Sequence, residues 1–152
     1  MSEQNKELVR RWFEEVWNQG RREAIAEMLA PDAVIYDGGS ASTGPEGFYP
    51  FFDRMQAAFS DIRMTLHDMI AEGDKVCVRW SSTVRHTGDA LGMAATNQSI
   101  EITGISVARV ANGKLAGAWQ NWDMLGMMQR VRGESSAPTY IAANVGNAAS
   151  GS

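Results

Sequence analysis

The sequence predicts an α+β domain: a cone-shaped, curved antiparallel sheet packed against three helices drawn from the N-terminal half of the chain. Three observations predict it. Apolar residues recur at helical steps of three and four up to Phe59; from Ile62 onward they alternate with polar ones; and Asn112-Gly113 separates two alternating runs, as a two-residue hairpin turn requires. A length of 152 residues suits one domain with a sizeable core. That domain is assigned to 1–132, and the small and polar residues of 133–152 read as a disordered or loosely packed tail.

From Glu3 to Asn18 the residues Leu8, Val9, Trp12, Phe13, Val16 and Trp17 share one helical face, and Gly20 ends the helix. A second helix spans Arg22 to Leu29, with Ile25, Met28 and Leu29 inward, and Pro31 biases Ala30 out of the helical region. Ala33 to Asp37 reads as a short strand, and Gly38 to Gly44 has the composition of a flexible loop. Pro45 suits the first turn of a third helix carrying Phe48, Phe52, Met55 and Phe59 at helical spacing, with Pro50 early enough to be borne.

After Asp61 the period becomes that of strands. Ile62, Met64 and Leu66 alternate with Arg63, Thr65 and His67, and the adjacent Met69 and Ile70 imply a bulge before the turn at Gly73. Lys75 to His86 follows as a strand with Val76, Val78 and Trp80 on one side and Cys77, Arg79 and Ser81 on the other. Thr87 to Gln98 is a loop, and Ser99 to Val110 and Lys114 to Asp123 form the hairpin around Asn112-Gly113.

A net charge of −4 argues against nucleic acid or an anionic membrane as partner, and no apolar run reaches spanning length. The single cysteine, Cys77, precludes an internal disulfide framework, and the first residues lack the apolar stretch of a signal peptide, so a cytoplasmic location is expected. His67, His86 and Cys77 make no metal-ligand pattern, and no P-loop, dinucleotide fingerprint or nucleophile elbow occurs; neither a metal nor an organic cofactor is expected.

The chemically loaded stretch is Ala118 to Arg130, where Asp123 stands between Trp122 and Met124. Apolar walls raise the affinity of a carboxylate for its proton towards the range of a general base. The same residue type also caps helices, and on the residues alone a cap for the helix starting at Met124 is the plainer reading.

The segments ELVRRWFEEVWNQG, APDAVIYD, GPEGFYPFFDRMQAAFSDI, IAEGDKVCVRWSSTVRHTGDALG, ITGISVARVANGKL and WQNWDMLGMMQR, in this order, resemble the SnoaL-like polyketide cyclases, a branch of the nuclear-transport-factor-2-like superfamily. The resemblance implies a half-barrel wrapped around a deep pocket, a homodimer formed through the outer sheet face, and a small, hydrophobic, polyketide-like substrate. It implies an intramolecular aldol closure without metal or organic cofactor, in which an aspartate takes a proton from the substrate carbon and returns it to the new alkoxide. Asp123 is the residue that matches. The histidine that partners it in the prototypes has no counterpart, and Ala118 stands before the first Trp of the last strand.

The resemblance favours the base at Asp123, with His86, at the end of its strand, as a donor to the substrate carbonyl or enolate. Strand alternation places Trp119 and Asn121 on the side of Asp123, Trp119 to stack on rings and Asn121 to orient the acid or bind a carbonyl. Arg79 either binds an anionic or carbonyl group inside the cone or cross-pairs with an acid on the exposed face. Tyr36 is a candidate pocket wall beside Asp37, itself a strand-end acid. Three other readings share the fold. An epoxide hydrolase needs two acids around an arginine; Arg79 and Asp123 supply part of that set, and Asp37 or Asp89 completes it only if folded inward. A cofactor-free hydroxylase, or a module that holds a hydrophobic ligand without turning it over, also fits such a pocket.

Overall fold

A computed structural model of the chain describes residues 2–133; apart from Gly133, the expected tail lies outside the described residues. The first helix, α1 (Ser2–Arg11), runs on as a π-helical segment over Trp12–Asn18, where Gln19 donates its N–H to the Glu14 carbonyl at 2.8 Å. Leu8, Val9, Trp12, Phe13 and Val16 are buried, as the periodicity predicts. Gly20, at φ +66°, turns the chain into α2 (Arg22–Met28). Leu29 is already extended and opens strand β1 (Leu29–Asp37), four residues earlier than the apolar pattern indicates.

Gly38 and Gly39 both take positive φ, +54° and +90°, and reverse the chain into β2 (Ser40–Thr43), which pairs antiparallel with β1. The stretch expected to be a loop is therefore a hairpin. Helix α3 (Gly44–Ala58) begins where Pro45 allows, and Pro50 sits within it. The long strands β3 (Phe59–Glu72), β4 (Lys75–His86), β5 (Ser99–Ala111) and β6 (Lys114–Trp122) follow, then α4 (Met124–Val131). Asn112 and Gly113, at φ +53° and +74°, form the predicted turn; the register shift of β3 lies between Leu66 and Asp68, ahead of Met69 and Ile70, which pair regularly with Val78 and Cys77.

The sheet is open, curved and six-stranded, in the order β2-β1-β6-β5-β4-β3. All its pairings are antiparallel except that of β1 with β6, which is parallel; the expectation of a purely antiparallel sheet is corrected there. A parallel neighbour requires a long crossover, and α3 with the meander supplies it. One sheet face packs against α1, its π-helical extension and α3, around a core of Trp12, Phe48, Phe52, Val78, Trp80 and Val84. Among the described residues no helix is long and apolar enough to cross a membrane.

Candidate functional site

Strand parity decides which side chains enter the cone. On β4 the residues Val76, Val78, Trp80, Ser82, Val84 and His86 are buried and the residues between them are not. The register carries this parity across the sheet: Trp80 lies opposite Gly104, and Gly104 opposite Trp122. The inward row of β6 is therefore Ala118, Gln120 and Trp122. The inward row of β1 is Ala33, Ile35 and Asp37, the last in register with Gln120.

These rows enclose an apolar cavity of about 70 Å³. Its walls are Phe13 and Trp17 from the first helix, Phe51 and Met55 from α3, and Phe59, Ile62, Met64, Trp80, Val84, Ile102 and Trp122 from the sheet. Ser82 and Gln120 are the two polar side chains in this wall. A second void of about 40 Å³, deeper between α1 and the sheet, shares Phe13 and Gln120 with the first. Gln120 therefore presents an amide donor and acceptor to both spaces, in an otherwise aromatic and aliphatic environment.

Asp37 ends the inward row of β1 and reaches the cavity wall through Trp122, without itself lining either void. The Trp122 indole N–H donates to its carboxylate, at 3.0 Å to Oδ1 and 3.3 Å to Oδ2. Burial pushes the carboxyl above the ordinary aspartate range, and the Trp122 hydrogen bond partly offsets this. Among the described residues no cation pairs with it. The residue's parity with Ile35, two positions earlier, is the sequence signal that would have turned it inward. A strand-end acid followed by two glycines reads locally as a solvated turn.

Asp123 caps α4. Its Oδ1 accepts the Gly126 N–H at 2.9 Å, Oδ2 lies 3.6 Å from the Arg130 guanidinium, and its side chain is 40% exposed. A Cβ at position 126 would sit 2.0 Å from Asp123 Oδ2, so glycine there permits the cap's close approach. Asp123→Ala should lower stability by about 1 kcal/mol through loss of the cap, which urea denaturation would measure.

His86 is fully buried at the far end of β4. The Thr96 backbone N–H donates to its Nδ1 at 3.2 Å, which makes Nδ1 an acceptor and assigns the proton to Nε2, a buried atom without a partner. His86 backbone groups pair with Gln98 and Asn97, so the residue pins the end of the 87–98 loop. Its ring packs 5.9 Å from that of Phe59, which lines the cavity, whereas the imidazole itself does not.

The other four expected substrate contacts face away from the cone. Tyr36 and Trp119 stack on each other at 6.2 Å on the outer sheet face, 48% and 41% exposed. Arg79 is on the same face and pairs with Asp68 at 2.6 Å, the cross-strand alternative of its two readings. Arg79, Asn121 and Asp123 line one outer hollow together with His67, Ser81 and Glu101. Alternation holds along β6, but its two sides are the reverse of those expected with Asp123 inward. The strand ends at Trp122, and it is Trp122 that enters the cone. The acid–arginine–acid set of an epoxide hydrolase is likewise not assembled, since Asp37 and Arg79 lie on opposite faces and Asp89 is exposed in the 87–98 loop rather than folded inward. Among the described residues no three of His, Cys, Asp and Glu converge on a metal-binding position.

The structure is similar to those of a candidate SnoaL-like polyketide cyclase from Jannaschia sp. CCS1 (25% identity, 91% of this chain and 95% of that one, TM-score 0.79). It is also similar to a candidate polyketide cyclase from Acidithiobacillus ferrooxidans (29% identity, 89% and 99% covered, TM-score 0.78). AclR, a candidate hydroxylase from Streptomyces galilaeus, shares the fold at 20% identity (99% and 95% covered, TM-score 0.82). No curated protein sequence matches the chain. The model of one family, the SnoaL-like polyketide cyclases, matches residues 7–131, from the first helix through α4, and the chain therefore belongs to that family.

Proposed function

We propose that the protein is a cofactor-independent cyclase that closes a ring by an aldol-type step on a small, hydrophobic, carbonyl-rich, polyketide-like substrate. The observation that supports this best is the aromatic-walled cavity inside the cone, with Ser82 and Gln120 as its polar lining. At about 70 Å³ the cavity is smaller than ordinary ligand pockets of about 300–1,000 Å³, so a planar, largely apolar molecule enters only as these aromatic walls part, and the few polar groups then fix its carbonyl. Gln120 can donate its amide N–H to the carbonyl whose neighbouring carbon is deprotonated, and water is kept from the enolate by Trp17, Phe51 and Trp122. The same reading has the enzyme act in the cytoplasm, a compartment that suits a chain with one cysteine.

The test is conversion of a linear aromatic diketone able to close a six-membered ring, followed by chromatographic separation and proton NMR of the cyclic β-hydroxy ketone. Enzyme-dependent closure that falls at least about tenfold in Gln120→Leu is expected. Closure no faster than in buffer, with the diketone shown to bind, would favour the ligand-holding module over the enzyme.

Assembly as a homodimer through the outer sheet face belongs to this reading. Its support is a row that crosses five strands in register: Ile70, Cys77, Val107, Trp119 and Tyr36, with Ile70 67% exposed. A contiguous apolar stripe of this kind is costly to leave in water. Sedimentation should give twice the chain mass for the wild type, and Trp119→Lys should shift it towards the monomer; a wild-type monomer at micromolar concentration refutes the dimer.

A further inference from the structure

We propose that Asp37, held in place by the Trp122 indole, is the group that moves the proton in this cone. The inference rests on the cyclase reading and assigns its acid/base. Four observations carry it. Asp37 is on the inward row of β1, in register with Gln120, which lines the cavity. Its carboxylate is fixed by the indole N–H of Trp122, whose ring is itself cavity wall. One N–H occupies only part of what a carboxylate can accept, so lone pairs remain for a substrate proton. Asp123, by contrast, spends its carboxylate on the Gly126 N–H and lies 3.6 Å from Arg130, both of which direct it at the helix rather than into the cone.

The neighbours of Asp37 suit the role. From β6 it faces Gln120 and Trp122; from β2 the paired residue is Ser40, which donates its hydroxyl to the Asp37 carbonyl at 2.8 Å. From α3, Phe51 packs edge-on against Trp122 at 6.4 Å. None of these is charged. Burial without a cation raises the proton affinity of the carboxyl, which is what a base working near neutrality needs.

The step balances without a co-reactant. The C–H bond next to the substrate carbonyl breaks, the proton goes to an Asp37 oxygen and the electron pair passes into the enolate. The enolate carbon bonds to the second carbonyl carbon, and the resulting alkoxide takes the proton back from Asp37.

The experiment has two readouts on the full chain. In deuterium oxide, exchange of the α-protons of β-tetralone is followed by proton NMR for the wild type, Asp37→Asn and Asp123→Asn. Asp37→Asn is expected to lose about a hundredfold or more of the enzyme-dependent rate, whereas Asp123→Asn keeps it. Separately, the indole N–H resonance of Trp122 is titrated. It should move with a midpoint above the ordinary aspartate value of about 3.9 and lose that transition in Asp37→Asn; in Trp122→Phe, where the offsetting hydrogen bond is gone, the Asp37 side-chain carboxyl carbon, followed by carbon NMR, should titrate still higher. Wild-type exchange that survives intact in Asp37→Asn overturns the proposal and leaves the cyclase reading standing. A Trp122 midpoint at the ordinary value overturns the tuned acid. No exchange by the wild type overturns the cyclase reading together with the role built on it.

Discussion

Replacing Trp80 with alanine is expected to destabilise the fold by about 3–5 kcal/mol, the range for truncating a large buried aromatic residue. Trp80 is 7% exposed, packs 6.3 Å from Phe13, and covers Gly104 on the next strand. It also donates its indole N–H to Ser106 Oγ at 3.0 Å, and Ser106 is itself buried. Truncation therefore leaves a hole that joins the cavity and strips a buried hydroxyl of its partner, two costs that add. Trp80→Phe separates them, because the ring is largely kept and the hydrogen bond lost; about 1–2 kcal/mol is expected for it. Urea denaturation of the three proteins checks both numbers. Equal losses for Ala and Phe would mean that the hydrogen bond, not the packing, carries the residue's contribution.

The stability of Asp37→Asn should run the other way. A carboxyl whose proton affinity is higher folded than unfolded binds more protons in the native state between the two titrations. Stability therefore falls as pH rises through that window, from about 3.9 upward, and the loss is complete above the folded value. Asparagine has no such loss, so the variant should be at least as stable as the wild type at neutral pH, the difference vanishing below about pH 4. Thermal melts across pH would show it. A catalytic carboxylate that costs stability is the usual balance at an active site.

The strongly patterned parts of the fold were legible in the sequence. Strand β4 was readable to the residue, with its buried and exposed faces, because its alternation is unbroken from Val76 to His86. The Asn112-Gly113 turn was equally clear because few residue pairs accept positive φ twice. Strand β2 was not legible, since Ser40 to Thr43 carries no large apolar residue and is mostly exposed; only Gly38-Gly39 marks the hairpin. The start of β1 was masked by Pro31, which the strand tolerates because its pairing with β6 shifts register between Leu29 and Val34. The parallel contact of β1 with β6 depends on the path of the whole chain, and no local pattern encodes it. The same limit governed the site. Each strand's alternation was visible, but which side of β6 faced the helices depends on Trp122 meeting Phe51 of α3, a contact 71 positions apart in the chain. The acid beside an apolar run drew attention to Asp123, while the acid that tertiary structure turns inward, Asp37, sits beside glycines.

Gly104→Ala should damage ligand binding more than it damages the fold. Gly104 lies between the two indoles of the cone, Trp80 on β4 and Trp122 on β6. A Cβ there would stand 2.4 Å from Trp80 Cζ2, 2.7 Å from Trp80 Cε2 and 2.8 Å from Trp122 Cβ, so one or both rings must shift. Trp80 is tied to Ser106 and Trp122 to Asp37, and the open direction for both is the cavity between them. The methyl group therefore acts as a wedge that narrows the cavity from behind. Overpacking of this kind costs about 1–3 kcal/mol of stability. A planar ketone such as β-tetralone, which needs the space the rings now enter, should lose at least about tenfold in affinity, roughly 1.4 kcal/mol. Titration calorimetry and urea denaturation on one preparation measure the two effects. A smaller ring at position 80 removes the atoms that collide, so Trp80→Phe with Gly104→Ala should be more stable than the sum of the single changes by about 0.5–3 kcal/mol. Simple additivity would mean that the strand, rather than the Trp80 ring, yields to the new methyl group, and binding would then be spared.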